Sequence, residues 1–128
     1  MKSVSAQSCR DSIFKIFRQT RFETLDLLDQ IDKSVFFRQV HPEFSPIGWH
    51  FGHIAFTEAY WISEHLADSA LAFPAEYQRL FAADGLPKQE RQNLPSIATI
   101  QQYLKVVRSK TLNYLATAPI IQQERLWR

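Results

Sequence analysis

The stretch Ser45-Pro46-Ile47-Gly48-Trp49-His50-Phe51-Gly52-His53-Ile54 decides how the chain is read. It opens on Ser-Pro. A serine at a helix boundary can cap the free N–H groups, and a proline at the first helical position has no N–H to leave unsatisfied. The next proline is Pro74, and the pattern predicts a helix from about Pro46 to Ala67. One face would carry Ile47, His50 or Phe51, Ile54, Glu58, Trp61 or Ile62, and His65. Gly48 and Gly52 lie about one turn apart on it. Each costs about 1 kcal/mol against alanine inside a helix, so they mark either close packing against a neighbouring element or room for a ligand.

Before this stretch, Val40 to Pro46 is a connection, because its two prolines bias the residues preceding them away from the helix. Upstream again, Ser8 to Ile31 has helical periodicity. Phe14, Phe17, Arg21, Leu25, Leu28 and Ile31 recur at three- and four-residue steps, and Ile13, Phe22 and Leu27 widen the face. Downstream, Pro74, Gly85, Pro87 and Pro95 break a long connection from about Asp68 to Leu94, with a short helix expected over Ala75–Ala83. Connections of this length usually carry function or structure of their own. A third helix opens at Pro95-Ser96 and runs to about Thr117, with Ile97, Ile100, Leu104, Val107, Thr111, Tyr114 and Leu115 on its apolar stripe. Ile120 to Arg128 reads as the start of a fourth. No internal repeat and no strand-like alternation interrupts this all-α pattern.

The bulk numbers exclude several classes of function. The 128 residues suit one domain, and ten Phe, three Trp and four Tyr supply apolar surface for a core. Fifteen basic residues against thirteen acidic ones give a net charge of +2 without clustering. A nucleic-acid binder concentrates its basic residues, so no nucleic-acid partner is expected. The polar N-terminus lacks an apolar signal segment, and no run of eighteen apolar residues exists. A cytoplasmic protein without membrane contact is expected. Cys9 is the single cysteine and cannot form an internal disulfide.

Three of the four histidines fall on the Pro46–Ala67 segment. His50 and His53, three apart, project from neighbouring positions of one helical surface. Imidazole is a common ligand for divalent transition metals, but a site in a bundle draws ligands from several helices. The plainer alternative is that His50 packs against the loop and His53 hydrogen-bonds inside the bundle. His65, near the helix end, and His41, before a proline, carry no functional expectation. No Gly-x-Ser-x-Gly, phosphate-binding glycine loop or His-Glu-x-x-His is present, and no catalytic residue is assigned.

The Ser45–His53 segment resembles the Ser-Pro-x-x-Trp-x-x-x-His opening of the DinB-like domain in ergothioneine-type sulfoxide synthases, and Glu58 fits the acidic position that follows. Tyr77-Gln78-Arg79-Leu80-Phe81 resembles that family's Leu-Phe-Asn-x-Tyr-Tyr region, although Ala82-Ala83-Asp84 stands where the family has asparagine and tyrosines. Leu94 to Ile100, with Tyr103, resembles its Arg-Pro-Thr segment. The order and spacing agree from about Ser12 to the C-terminus.

The resemblance implies a four-helix bundle contributing three histidines to a mononuclear iron site. It implies His53 as the first ligand, with the other two from a His-x-x-x-His on the fourth helix. Leu126-Trp127-Arg128 is similar to the residues just before that pair. The expectation is therefore one incomplete DinB-like domain over residues 1–128, with three long helices present and the fourth mostly missing. His50 could replace one ligand, and iron would be bound weakly or not at all by the chain alone. Family members join a thiol to the imidazole of hercynine with dioxygen and form a sulfoxide. A C-terminal sulfatase-modifying-factor-like domain completes their substrate site.

Two other functions compete. One is a non-catalytic helical interaction module, and the other a DinB-like metal-dependent thiol transferase completed by a partner chain. The missing helix also predicts a homodimer through the open bundle face. Phe14, Phe17, Ile54, Trp61, Leu104 and Val107 would be among its members, with Leu126 and Trp127 docking into the partner.

Overall fold

The computed structural model describes residues 6–62 and 74–117, all of whose regular elements are helical. The order is α1 (Ala6–Asp29), α2 (Lys33–Phe36), α3 (Ile47–Ala59), α4 (Glu76–Phe81), a 3-10 turn (Lys88–Glu90) and α5 (Ile97–Thr117). The expected fourth long helix, with Leu126 and Trp127, and the end of the second, with His65, lie outside the described residues.

Helix α5 is the centre of the packing, with α1 on one side of it and α3 on another. Its stripe places Ile100, Leu104, Val107 and Thr111 completely out of solvent. Fully burying one such aliphatic side chain stabilises by about 1.5–3 kcal/mol, so this stripe is what the other helices assemble on. Ser96 starts the helix: its Oγ accepts the Thr99 N–H at 3.2 Å and its carbonyl accepts the Ile100 N–H. Helix α1 runs antiparallel to α5. Arg10, near its start, donates to the Ala116 carbonyl, whereas Phe17 and Thr20, further along, accept from Arg108. Leu28 closes the α1 contribution to the core, with Leu25 and Ile31 packed against it. The broader α1 face expected from the sequence is narrower in the structure. Phe22 and Leu27 are 66% and 57% exposed, because among the described residues α1 packs mainly against the single helix α5.

Between α1 and α3 the chain makes a short turn that its periodicity does not mark. Asp32 caps it by accepting the Ser34 N–H, and the turn delivers Phe36 into the core at 0% exposure. Phe36 then meets Gly48, where an added Cβ would stand 2.6 Å from the ring and 2.7 Å from the Phe36 carbonyl oxygen. At Gly52 an added Cβ would stand 2.0 Å from Cε1 of the buried Phe81. Both glycines exist for close packing. The space beside them is filled by two phenylalanines and is not room for a ligand.

Two further expectations for α3 are corrected. Its core face is Gly48, Trp49, Phe51, Gly52, Ala55 and Ala59, whereas Ile47, Ile54 and Trp61 lie largely in solvent. The bulky neighbours Phe36 and Phe81 fit only against the glycines, and so select the face that carries Gly48 and Gly52. Ser45 is also not the cap. Pro46 occupies the N-cap position with no side-chain cap, and Ser45 Oγ accepts from Arg91 Nη1 at 3.0 Å. A helix cap stabilises by about 1 kcal/mol, whereas a hydrogen bond to a charged group is worth about 1.5–3 kcal/mol. The hydroxyl therefore serves the buried guanidinium. Among the described residues no helix is long and apolar enough to cross a membrane.

Candidate functional site

His53 sits one turn after Trp49 on α3, and the two rings stack with centroids 4.7 Å apart and planes 11° from parallel. Both rings are tied to the end of α4. Trp49 Nε1 donates to the Leu80 carbonyl, and His53 Nδ1 lies 2.6 Å from the Phe81 carbonyl oxygen. A carbonyl oxygen can only accept, so Nδ1 carries the proton. In the neutral imidazole the lone pair is then on Nε2. A ring nitrogen anchored to a backbone carbonyl while its partner offers a lone pair is the usual arrangement of a metal-bound histidine.

The same arrangement follows from packing. Gly52 lets Phe81 lie directly on α3, and that brings the carbonyls of residues 80 and 81 to the rings of residues 49 and 53. Behind them stands an aromatic wall. Phe81 packs edge-on to Tyr77 at 5.3 Å, and Tyr77 meets the buried Tyr103 at 5.0 Å. Burial, and then the neighbouring phenol of Tyr77, drives the Tyr103 hydroxyl well above its ordinary range, so it stays a neutral donor.

Arg91 completes this region. Its guanidinium lies 4.1 Å from the Trp49 ring centroid, within the range of a cation–π contact. Its nitrogens donate to the Leu86 carbonyl at 2.8 Å, the Ala83 carbonyl at 3.0 Å and Ser45 Oγ. These acceptors are all neutral. His50 is exposed, edge-on to Trp49 with ring centroids 5.2 Å apart. Partial burial, then the positions of His53 and Arg91, lower its pKa below the ordinary 6.5 and favour neutral imidazole.

Glu58, the acidic position of the motif, belongs to a different cluster. Arg108 grips it from α5 with a fork, Nη2 to Oε1 at 2.7 Å and Nε to Oε2 at 2.9 Å. Thr111 donates to Oε2, and Arg21 of α1 donates to Oε1. Burial pushes the carboxyl of Glu58 up. The hydrogen bonds from Arg108 and Thr111 and the two positive charges outweigh it and hold the group below its ordinary value. One carboxylate thus joins the three long helices. Among the described residues, the remaining Nε and Nη1 of Arg21 are buried without a hydrogen-bond partner.

The structure joins His53 to Trp49 and Phe81, and through Trp49 to Arg91, whereas Glu58 bonds to a different set, Arg21, Arg108 and Thr111. His41 is a loop residue whose Nδ1 accepts the Glu43 N–H. Cys9 is partly buried in the second turn of α1. No sequence pattern marks Arg91 or Arg108. Arg21 lies on the apolar stripe of α1, and a charged residue in a hydrophobic stripe is the signal for a buried ion pair.

The described residues are thus a helical bundle that fixes one histidine with a backbone carbonyl. The family model for the DinB superfamily matches residues 16–124, and the chain belongs to that superfamily. No curated protein matches the chain.

Proposed function

We propose that this domain contributes His53 as one ligand to a mononuclear iron site of the kind used by ergothioneine-type sulfoxide synthases, and that it is inactive alone. The observation that carries this is the hydrogen bond from His53 Nδ1 to the Phe81 carbonyl, which leaves the Nε2 lone pair for a metal. The Ser45–His53 motif supports the specific family. Among the described residues no three His, Cys, Asp or Glu side chains gather to hold a metal ion. One histidine fits the iron, a full set does not, and further ligands come from outside these residues or from a partner chain. His50, on the same helix, is the nearest replacement. When complete, such a site supplies the dioxygen chemistry that joins a thiol to hercynine. The role of this chain is to present an imidazole held in one orientation by the Phe81 carbonyl.

The test is metal analysis of the purified chain loaded with ferrous ion under anaerobic conditions. Binding should be weak and should vanish in His53→Ala. Equal binding in the two proteins would clear His53 of the role. Stoichiometric iron surviving a chelator would overturn the view that the set is incomplete. A non-catalytic interaction module is the second reading, favoured by Phe22 and Leu27 on α1 and Ile54 on α3, all large, apolar and exposed. Chelator-insensitive solution behaviour, with no iron binding at all, would favour it.

A further inference from the structure

Arg91 is 6% exposed, yet no carboxylate faces it among the described residues. A buried guanidinium without a counter-ion is costly unless its donors are well satisfied. Here three of them join two separate segments. Two bonds go to the carbonyls of Ala83 and Leu86, in the turn immediately after α4, and the third goes to Ser45, just before α3. The turn is itself closed against α4, with the Leu86 N–H donating to the Arg79 carbonyl at 2.8 Å. Arg91 therefore fastens the end of α4 to the start of α3.

Two routes lead from this clamp to His53. Along the backbone, the clamped turn follows directly on Leu80 and Phe81, whose carbonyls accept from Trp49 and His53. Through the rings, the guanidinium packs on Trp49, and Trp49 stacks on His53. A planar fork is suited to this, because it can hold carbonyls at its edge while its face covers an indole.

We propose that Arg91 is a positioning residue for His53: by clamping the turn after α4 beside Trp49, it holds the Phe81 carbonyl at Nδ1 and fixes Nε2 as the nitrogen offered to a ligand. This deepens the metal-ligand role above, but its test needs no metal, and the two can fail separately.

The experiment is nitrogen-15 NMR of the His53 ring in the metal-free full chain, at alkaline pH where imidazoles are neutral. The wild-type protein should show the Nδ1–H tautomer with a slowly exchanging ring proton. Arg91→Met should lose that signature and shift to the other tautomer. Glu58→Gln is the control, because it destabilises the fold from the far part of α3 and should keep Nδ1–H. Were both variants to lose the signature, general loosening would explain it and the positioning role would fall. Retention of Nδ1–H in Arg91→Met would overturn the proposal directly. Arg91→Lys keeps the charge without the fork, and it serves if the methionine variant does not fold. Its Nδ1 proton should exchange several-fold faster than in the wild type, and wild-type exchange would count against the clamp.

Discussion

At the scale of single residues, the strongest energetic claim rests on Glu58. Its carboxylate is nearly enclosed and is the only acid facing both Arg21 and Arg108 in the described ion pairs. Removing one partner of a buried ion pair costs about 3–5 kcal/mol, because the surviving charge stays buried without compensation. Glu58→Gln should therefore lower the urea midpoint strongly with little change in slope; an unchanged midpoint would show that solvent already compensates these arginines. The same residue sets an acid limit. Its folded pKa lies below the ordinary 4.5, so the unfolded chain takes up the proton first as pH falls. Its contribution is complete above about 4.5 and disappears as pH drops through the lower, folded value. Melting temperature followed against pH should fall in that acid window for the wild type and flatten there in Glu58→Gln.

At the scale of elements, the contact between α3 and α4 decides whether His53 is oriented. Gly52 is its narrowest point. Alanine would gain about 1 kcal/mol of helix propensity, but its Cβ would stand 2.0 Å from a ring with no exposure. Overpacking a close-packed core costs about 1–3 kcal/mol, and this overlap is severe, so the clash wins. Gly52→Ala should melt lower and should weaken the His53 to Phe81 hydrogen bond as α4 is pushed away. A raised melting temperature would mean that Phe81 can swing aside. Gly48→Ala meets the Phe36 carbonyl as well as the ring, and backbone has less freedom to yield.

At the scale of the whole molecule, the arrangement of helices bears on assembly. The open face expected from the sequence differs in membership: Leu104 and Val107 are fully buried in the core, and Phe14 and Phe17 are partly covered, with Arg18 and Arg108 stacked on them. Ile16, Phe22 and Leu27 on α1 and Ile47 and Ile54 on α3 remain exposed. Exposed large apolar side chains mark an interaction site where they gather, and a symmetric pair is the simplest way to cover them. We propose a homodimer through these helices. Light scattering at micromolar concentration should give twice the 15.0 kDa chain mass, and Ile54→Asp should shift the protein toward the monomer. A wild-type species at the chain mass would end the idea.

The sequence by itself determined the all-helical class, because three periodic stripes and their proline and serine boundaries depend only on local geometry. On α5, Ile100, Leu104, Val107, Thr111 and Leu115 are buried as the stripe predicts, since a central helix buries its apolar face whatever surrounds it, and Tyr103 joins them. His53 was legible as the motif histidine. What the sequence could not determine was direction. On α3 the expected face ran through Ile47 and Ile54, but Phe36 and Phe81 pack at Gly48 and Gly52 and turn the core toward Trp49, Phe51 and Ala55, because packing rewards fit between partners and not the size of one side chain. The use of Ser45, the joining of three helices at Glu58 and the proton on His53 Nδ1 all depend on groups 28 or more residues away in the chain. Only the tertiary structure brings such groups within hydrogen-bond distance, and a hydrogen bond is decided at that distance alone.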